Sequence, residues 1–588
     1  MKKTILFNAS ALLLALLTMP AMADDVVFKG VLLTSRDITK PQLVAKSAVV
    51  DEAEKISGCE KSTIENKVDL PALEDDASLA EYRERLKSEG EVGLEANLTT
   101  LDKKAIARDI APLLGQPIDN KQIDRLKAIV LSALNQEGAM LADIYLPPQR
   151  SQDGYVVVVV APAKVGKIVT SGQQYFDGQK IACEIRTQPG AQVDLKRLSE
   201  DLLWLNRTPW RTTDVSYAPG EKVGEADITL TTTDRRPFRP YISMDNTGTR
   251  MTGLGRYKVG MSWGSPFGLF DHRVDYSYTR SSKQDVLDSH SLSYSLPVFD
   301  RTQLSIAYGL MEVNSQFNQD FSAKGRNTNI SIALNRPLPK LSAYPSLTHE
   351  GTLGFEYKHV ETNLLFGQVN LPDYSRSPEI MQFFVDHSAG ISDNAKKLNA
   401  YTHLGISPGF GWGNNTDEEL NAMRSGSKNT YWFVKETVDS SIRLPKNWGL
   451  RGLVNLQYTN DVLPYSERMQ ITGANAVRGY YEETLYADSG LALNLELQAP
   501  TMNMKLAGKD AQLQVFAFKD WGKGYSKSVD VNNDLLSVRK QNVVSSVGVG
   551  ARFSLSPFVQ FNSSIAWADR ENGRDKDTMA HLALVVGY

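Results

Sequence analysis

Residues 491–498 have the sequence LALNLELQ, in which leucine alternates with alanine, asparagine and glutamate. Successive side chains of a β-strand point to opposite faces of its sheet, so this segment predicts a strand with one apolar and one polar face. The same period of two recurs in residues 274–278, 304–310, 547–555 and 582–588. Alternation therefore decides the fold of the C-terminal part of the chain.

The alternating region runs from residue 237 to residue 588 without a helical segment, and tyrosine and tryptophan recur near its strand ends. A strand crosses a bilayer in about 9–11 residues, so the region holds roughly 16 strands with their turns and loops. The polar face carries Glu496 and Arg552, which need water, and a soluble β-sandwich would alternate too, with that face outward. Export of the protein, the length of the alternating region and the aromatic residues near strand ends favour a membrane barrel. We predict an antiparallel transmembrane β-barrel whose even strand number places both ends on one side of the membrane.

The N-terminal residues indicate export from the cytoplasm. Lys2 and Lys3 precede an apolar run, residues 11–17, which ends in the small-residue sequence MPAMA at 19–23. This order is typical of a secretory signal peptide, here residues 1–23. No later stretch has the roughly 18–20 apolar residues that a membrane-spanning helix needs. Export together with an alternating region predicts the outer membrane of a Gram-negative bacterium.

The overall composition resembles that of a soluble protein, with 41% hydrophobic residues and 65 Lys+Arg against 68 Asp+Glu. It excludes a bundle of membrane helices, and the near-neutral charge gives no basic footprint for nucleic acid. The two cysteines, Cys59 and Cys183, are too few for a disulfide scaffold or a four-cysteine zinc site. A bridge between them is compatible with an oxidising compartment, but the sequence does not fix its geometry.

Two kinds of segment precede the alternating region. Thr39, Pro41 and Gly58 mark the start and the end of one helix, whose modest apolar face includes Leu43, Val49, Val50 and Ile56. Residues 62–236 then have the pattern of two small α+β modules. Helices are predicted at 101–114, 121–134 and 195–205, and strands at 154–160 and 226–232.

Two further motifs lie within the alternating region. Residues 477–480 are VRGY and residues 515–522 are VFAFKDWG. They resemble the paired V-R-G-Y and F-x-D-x-G signature of the Omp85 superfamily of outer-membrane β-barrels. With two periplasmic modules, the chain is similar to the two-partner-secretion transporters (TpsB family), which export filamentous haemagglutinins and haemolysins. Further segments that resemble this family are LPPQ at 146–149, LNRTP at 205–209, PGEKVG at 219–224, DNTG at 245–248 and SPFGL at 265–269.

The resemblance implies a domain order and a site. The order is signal peptide 1–23, plug helix and linker 24–61, POTRA 1 62–168, POTRA 2 169–236 and outer-membrane barrel 237–588. In the family the V-R-G-Y loop folds back into the barrel, so Arg478 would pair with Asp520. Phe518 and Gly522 would shape the part of the strand that receives the arginine. These contacts would lock the loop inside the lumen. We call this group of residues the lock; it would comprise Val477, Arg478, Gly479, Tyr480, Phe518, Asp520 and Gly522. Leu43, Val49, Val50 and Ile56 would belong to a plug helix that fills the lumen at rest.

The function implied by the resemblance is export of a large unfolded exoprotein, which the POTRA modules bind in the periplasm. Adhesins, haemolysins and contact-dependent growth-inhibition toxins all use such transporters, and the overall resemblance favours the toxin. We expect a monomer surrounded by outer-membrane lipid and lipopolysaccharide, with no cofactor, metal or nucleic acid.

Three alternatives belong to other functional classes. A barrel-assembly factor of the same superfamily usually carries more POTRA modules than this chain has room for. A passive porin would have no periplasmic modules, and a nutrient receptor would have a compact plug before the barrel. An enzyme is disfavoured because H-E-x-x-H and a clustered acid pair are both missing from the sequence.

Overall fold

A computed structural model defines the fold. It describes residues 27–34, 84, 87–94, 98, 101–136, 142–146, 149, 153–221, 225–316, 320–341, 344, 346–367, 369–392, 396–527, 540–557, 559–569 and 578–587. The chain forms two compact units, Met1–Arg235 and Arg236–Tyr588. The predicted signal peptide and plug helix, including Leu43, Val49, Val50 and Ile56, lie outside the described residues. Among the helices that are described, none has both the length and the apolar character needed to cross a bilayer.

The first sheet of the N-terminal unit has four strands in the order β2-β1-β4-β3. Its elements are β1 Gly30–Thr34, β2 Val92–Leu94, α1 Lys103–Ile110, α2 Asn120–Gln136, β3 Ala142–Tyr145 and β4 Tyr155–Pro162. β1 runs parallel to both β2 and β4, while β3 is antiparallel to β4. Ile106 and Leu126 of the two helices are buried with Val156 and Val158 of β4 in one core.

The position of β1 corrects the predicted start of the first module. Residues 24–61 are predicted as plug helix and linker, yet Gly30–Thr34 pairs with β4 from Gly30↔Tyr155 to Thr34↔Val159. All five residues of β1 are buried, so the strand has no alternation to mark it in the sequence. Its partners lie far along the chain, which is why local patterns assigned it to the linker.

The second sheet has three strands in the order β5-β7-β6. Its elements are β5 Lys164–Ser171, α3 Gly178–Cys183, α4 Leu195–Leu205, β6 Arg211–Pro219 and β7 Glu225–Asp234. β5 begins before the predicted module boundary at residue 169, so this boundary too lies nearer the N-terminus. Cys183 is disulfide-bonded, and Cys59, the other cysteine of the chain, lies outside the described residues.

The C-terminal unit is a closed antiparallel barrel of 16 strands, which confirms the predicted fold class. The strands are β8 Phe238–Asp245, β9 Arg256–Gly264, β10 Arg273–Ser281, β11 Leu287–Phe299, β12 Thr302–Gln316, β13 Phe321–Pro337, β14 Leu347–Phe366, β15 Glu379–Ser392, β16 Lys396–Pro408, β17 Thr430–Arg443, β18 Gly449–Tyr458, β19 Ser489–Gln498, β20 Lys509–Ser526, β21 Lys540–Leu555, β22 Val559–Ala568 and β23 Thr578–Gly587. Closure comes from pairing of β23 with β8, between Ala583↔Asp245 and Gly587↔Tyr241.

Short elements complete the barrel unit. Short strands occur at Val369–Asn370, Met469–Gln470, Tyr486–Ala487 and Met502–Leu506, and a helix, α5, at Asp417–Met423. Single 3-10 turns lie at Pro266–Gly268, Pro372–Tyr374, Pro445–Asn447 and Tyr465–Glu467, and one in the N-terminal unit at Ala111–Leu113.

The two faces and the two ends of the barrel are distinct. The exposed apolar side chains include Leu495, Val515, Val547 and Val549. The alternate strand positions that they occupy therefore form the outer face. The longest connection, residues 459–488, leaves the same end as the connection carrying α5, whereas the other end has mostly short turns. Outer-membrane barrels have short periplasmic turns and long extracellular loops, so the end with the longest connections faces outward from the cell.

Candidate functional site

The connection between β18 and β19, residues 459–488, folds into the barrel; we call it the lumen loop. Ile471 and Val477 at its centre are fully buried. The amide Nδ2 of Asn494 donates to the main-chain oxygen of Ala476 at 2.7 Å. Asn494 alternates on β19 with the outward leucines, so this contact lies on the inner face of the wall.

Arg478 and Asp520 form a two-point ion pair in the lumen. Nε of Arg478 lies 2.8 Å from Oδ2 of Asp520, and Nη2 lies 2.9 Å from Oδ1. The main-chain N–H of Arg478 also donates to Oδ2, at 3.1 Å. Asp520 is 0% exposed and Arg478 is 7% exposed. A guanidinium matches a carboxylate with two parallel bonds, so the geometry fixes the loop tip in direction as well as in place.

Phe518 and Gly522 lie on either side of Asp520 on the inner face of β20. The guanidinium carbon of Arg478 is 3.5 Å from the centre of the Phe518 ring, within cation–π range. A Cβ at Gly522 would approach Ile471 to 2.7 Å and Val477 to 2.8 Å. Such contacts are too short for any side chain, so only glycine at this position lets the loop reach the wall.

Gly479 and Tyr480 connect the loop tip to the next strands. Gly479 has a φ of +93°, which L-residues with a side chain rarely adopt, and its N–H donates to Nε2 of His581 at 3.3 Å. The hydroxyl of Tyr480 lies 3.0 Å from the main-chain oxygen of Ser545. The structure therefore brings all seven residues of the predicted lock into one buried cluster.

The pair extends into a charge network that the motifs did not reveal. Nη1 of Arg478 lies 3.0 Å from Glu496, which Arg552 also contacts at 2.7 and 2.9 Å. Arg451 lies 4.0 Å from Glu496 and binds Asp439 at 2.9 and 3.0 Å. The sequence signal for Glu496 and Arg552 was their place at polar positions of alternating strands. Nothing in the sequence singles out Arg451 or Asp439.

A second set of contacts holds the lumen loop to another part of the wall. Glu467, which is 1% exposed, lies 2.7 Å from Nζ of Lys358 on β14. Lys358 also contacts Glu356 at 2.9 Å, and Nε2 of Gln382 on β15 lies 3.3 Å from Glu467. Tyr431 on β17 donates to Gln382 at 2.9 Å. With its other anchor on β20, the loop spans the lumen.

The base of the lumen loop is fixed by Asp488. Arg424 contacts both carboxylate oxygens of Asp488, at 2.5 and 2.6 Å. Main-chain N–H groups of Leu463 and Lys527 donate to the same carboxylate at 3.1 and 2.8 Å. This arrangement joins the lumen loop to the connection that carries α5.

Within the described part of the chain, no group of three or more histidine, cysteine, aspartate or glutamate side chains is placed to hold a metal ion. The chemistry that the cluster offers is charge pairing and steric closure of a pore.

Comparison with known proteins adds independent information. Residues 224–553 match the family model described as haemolysin secretion/activation protein ShlB/FhaC/HecB. The outer membrane transporter CdiB-2 of Burkholderia pseudomallei strain 1026b is 25% identical over 431 residues, covering 70% of each chain. The hemolysin transporter protein HpmB of Proteus mirabilis is 25% identical over 466 residues, or 74% of this chain and 77% of the relative.

A solved structure of CdiB from Escherichia coli has the same fold, with a TM-score of 0.69 at 17% identity. The match covers 84% of this chain and 89% of that one.

Proposed function

Because this chain belongs to the haemolysin secretion/activation protein family ShlB/FhaC/HecB, we propose that it exports an exoprotein through its barrel by two-partner secretion. It acts in the outer membrane of a Gram-negative bacterium and carries a large unfolded chain from the periplasm to the cell surface. The relatives include transporters named for haemolysin and for heme/hemopexin, which supports an exoprotein as cargo. Among the possible cargoes, a contact-dependent growth-inhibition toxin is the first to test.

The observation that carries this proposal is the loop anchored across the lumen. The lumen loop obstructs the pore at rest, and a transported chain must displace it. Removing one partner from a buried ion pair costs about 3–5 kcal/mol, so the Arg478–Asp520 pair can bias the loop strongly toward the obstructing position. Residues 41–57, for which the sequence predicts a helix, would add to this closure as a plug.

The N-terminal unit binds the incoming exoprotein. In the second sheet β5 and β6 are the edge strands, since both pair with the central β7. An extended chain can add to such an edge through main-chain hydrogen bonds, a recognition mode that tolerates many sequences. The transporter works as a monomer, which is supported by the pairing of β23 with β8 of the same chain, since this pairing leaves no open barrel edge.

Surface delivery of an exoprotein tests the proposed function. The chain is co-expressed with candidate large secreted exoproteins, and surface exposure of each is scored with protease. We expect delivery only when the transporter is present. Arg478→Ala and Asp520→Ala should change the delivered amount, because each removes the ion pair that biases the loop toward the obstructing position. Arg326→Ala is the matched control, since its ion pair with Glu312 is exposed.

Two results would contradict the proposal. One is delivery of the exoprotein at the normal level without the transporter. The other is a general loss of other β-barrels from the outer membrane when the transporter is removed, which would indicate a barrel-assembly factor.

A further inference from the structure

The outer surface of the barrel carries a groove at its extracellular rim, where the lumen loop begins and ends. Its volume is about 360 Å³. The wall is formed by the end of β18, the start of β19 and the last residues of β20. The lining residues used below are Leu456, Tyr458, Leu491, Trp521, Lys523, Tyr525 and Lys527.

Strand register places this groove on the outer face. Leu456 lies directly opposite Leu491, which lies directly opposite Lys523. Directly opposed residues of antiparallel strands project to the same face. Lys523 also shares the parity of Val515, an exposed apolar residue of the outer face. The Lys523 side chain therefore projects toward the membrane and not into the lumen.

The depth of Lys523 suits an interfacial charge. It lies three residues before the end of β20 at Ser526, a distance of roughly 10 Å along a strand that rises about 3.3 Å per residue. Lysine on the outer face of a barrel is costly at the bilayer midplane and tolerated near the interface. An ammonium at headgroup depth can bind a phosphate as a point charge.

The charges around the groove leave it basic. Lys527 is at the rim, and its main-chain N–H donates to Asp488, a carboxylate that Arg424 already neutralises. Lys519 is further from the rim and pairs with Asp569 at 2.9 Å. Among the ion pairs formed by described residues, none involves Lys523 or Lys527. The described contact of the Lys523 ammonium is with the ring of Tyr525, at 5.1 Å.

The apolar part of the groove fits a lipid with a sugar headgroup. Leu456 and Leu491 provide an aliphatic floor that continues the outer face of the wall. Tyr458, Trp521 and Tyr525 add aromatic rings at the depth where such side chains prefer to meet the interface. Aliphatic side chains, aromatic rings and two lysines supply the three kinds of contact that an acyl chain, a sugar ring and a phosphate need, and Lys527 lies nearest the rim.

We propose that this groove is a binding site for a phosphorylated glycolipid of the outer leaflet, of the lipid A type. Lys523 and Lys527 bind its phosphate, and Leu456 and Leu491 hold an acyl chain. The site is joined to the lumen loop, because Gln457 in the groove wall donates to the main-chain oxygens of Glu467 and Asp488 at 3.0 and 2.9 Å. A bound lipid would contact the strand ends at which that loop leaves and re-enters the barrel wall, and would stabilise them from the outer face.

Lipid binding to the full-length protein in detergent tests this site. Native mass spectrometry measures the apparent affinity for diphosphoryl lipid A. The double variant Lys523→Gln and Lys527→Gln should bind about tenfold more weakly, which is the size expected from the loss of phosphate contacts. The matched control is Lys505→Gln with Lys509→Gln, at the periplasmic end of the same strand region. A heat-shifted gel band verifies that every variant forms a folded barrel.

Each outcome bears on the site directly. Weaker binding in the groove variant, with the control within about twofold of the unaltered protein, supports the site. Unchanged binding in the groove variant, or equal loss in the control, overturns it. Equally tight binding of phosphatidylglycerol would also overturn it, since a general anionic surface would then suffice. The measurement needs no exported partner, so it stands apart from the test of secretion.

Discussion

At the scale of single residues, the lock depends on complementary requirements for charge and for space. Asp520 can be fully buried because Arg478 satisfies both of its oxygens. The loop tip can reach Asp520 only because Gly522 leaves the wall open at that point. Each requirement leads to a separate prediction.

The ion pair should behave as a coupled unit. Arg478→Ala leaves Asp520 buried without its cation, at a cost of about 3–5 kcal/mol in loop stability. Asp520→Ala removes the two-point partner of the guanidinium and leaves it Glu496 alone. We expect each single variant to raise single-channel conductance in planar bilayers. The double variant should add little to either, because the partners act together. Additive effects of the two substitutions would contradict a pairwise lock.

Gly522→Ala should displace the loop without removing a charge. The new methyl group would lie within 2.8 Å of both Ile471 and Val477, and overpacking of this kind costs about 1–3 kcal/mol. Proteolysis of the lumen loop in the folded barrel should become faster. Gly309→Ala on β12 is the control, because the nearest atom to a Cβ there is 3.8 Å away. Equal proteolysis of the two variants would rule out steric seating at Gly522.

At the scale of elements, the lumen loop crosses the barrel and is anchored to the wall at two sites, which we call its supports. One support is on β20, at Asp520, and the other is on β14 and β15, through Lys358 and Gln382. Among the described ion pairs, none joins the two supports, so opening at one leaves the contacts of the other in place. Full clearance of the lumen therefore requires both to be released.

Lys358→Met tests the second support. It leaves Glu467 buried without its ammonium partner, at a cost of about 3–5 kcal/mol. We expect higher basal conductance, while a disulfide engineered between the loop tip and β20 should still suppress it partly. Lys324→Met, at an exposed position of β13, is the control. If basal conductance does not change, Glu467 contributes nothing to closure.

At the scale of the whole molecule, the N-terminal segment contains two parts with separate roles, which follow one another along the chain. Gly30–Thr34 is a buried strand of the first sheet, whereas the predicted plug helix begins only at residue 41. A deletion that begins at residue 24 would remove the strand and damage the module. The plug must therefore be tested with a shorter deletion.

Deleting residues 41–57 should open the pore while leaving the first sheet intact. We expect conductance to rise, and far-ultraviolet circular dichroism of the purified N-terminal unit to match that of the unit without the deletion. Conductance equal to that of the undeleted transporter would show that this segment does not obstruct the lumen. A deletion that also covers Gly30–Thr34 serves as the positive control for loss of folding.

Local sequence patterns were enough to predict the elements whose cause is local. Period-two alternation requires strands with two unlike faces, and enough of them close a barrel in a membrane. Helix positions such as Leu195–Leu205 followed in the same way from spacing. Motif resemblance brought together Arg478 and Asp520, which local patterns alone could not connect.

Contacts between residues distant in the chain are visible only in the folded protein. The pairing of β1 with β4, the contact of Glu467 with Lys358, and the meeting of Arg451 with Glu496 leave no periodic trace in sequence. The first arises from strand pairing in the N-terminal sheet. The other two arise from strand register and barrel closure, which set the neighbours of inward side chains. Alternation specifies the face of the sheet on which a side chain lies. Strand register and barrel closure specify which side chains it contacts on that face.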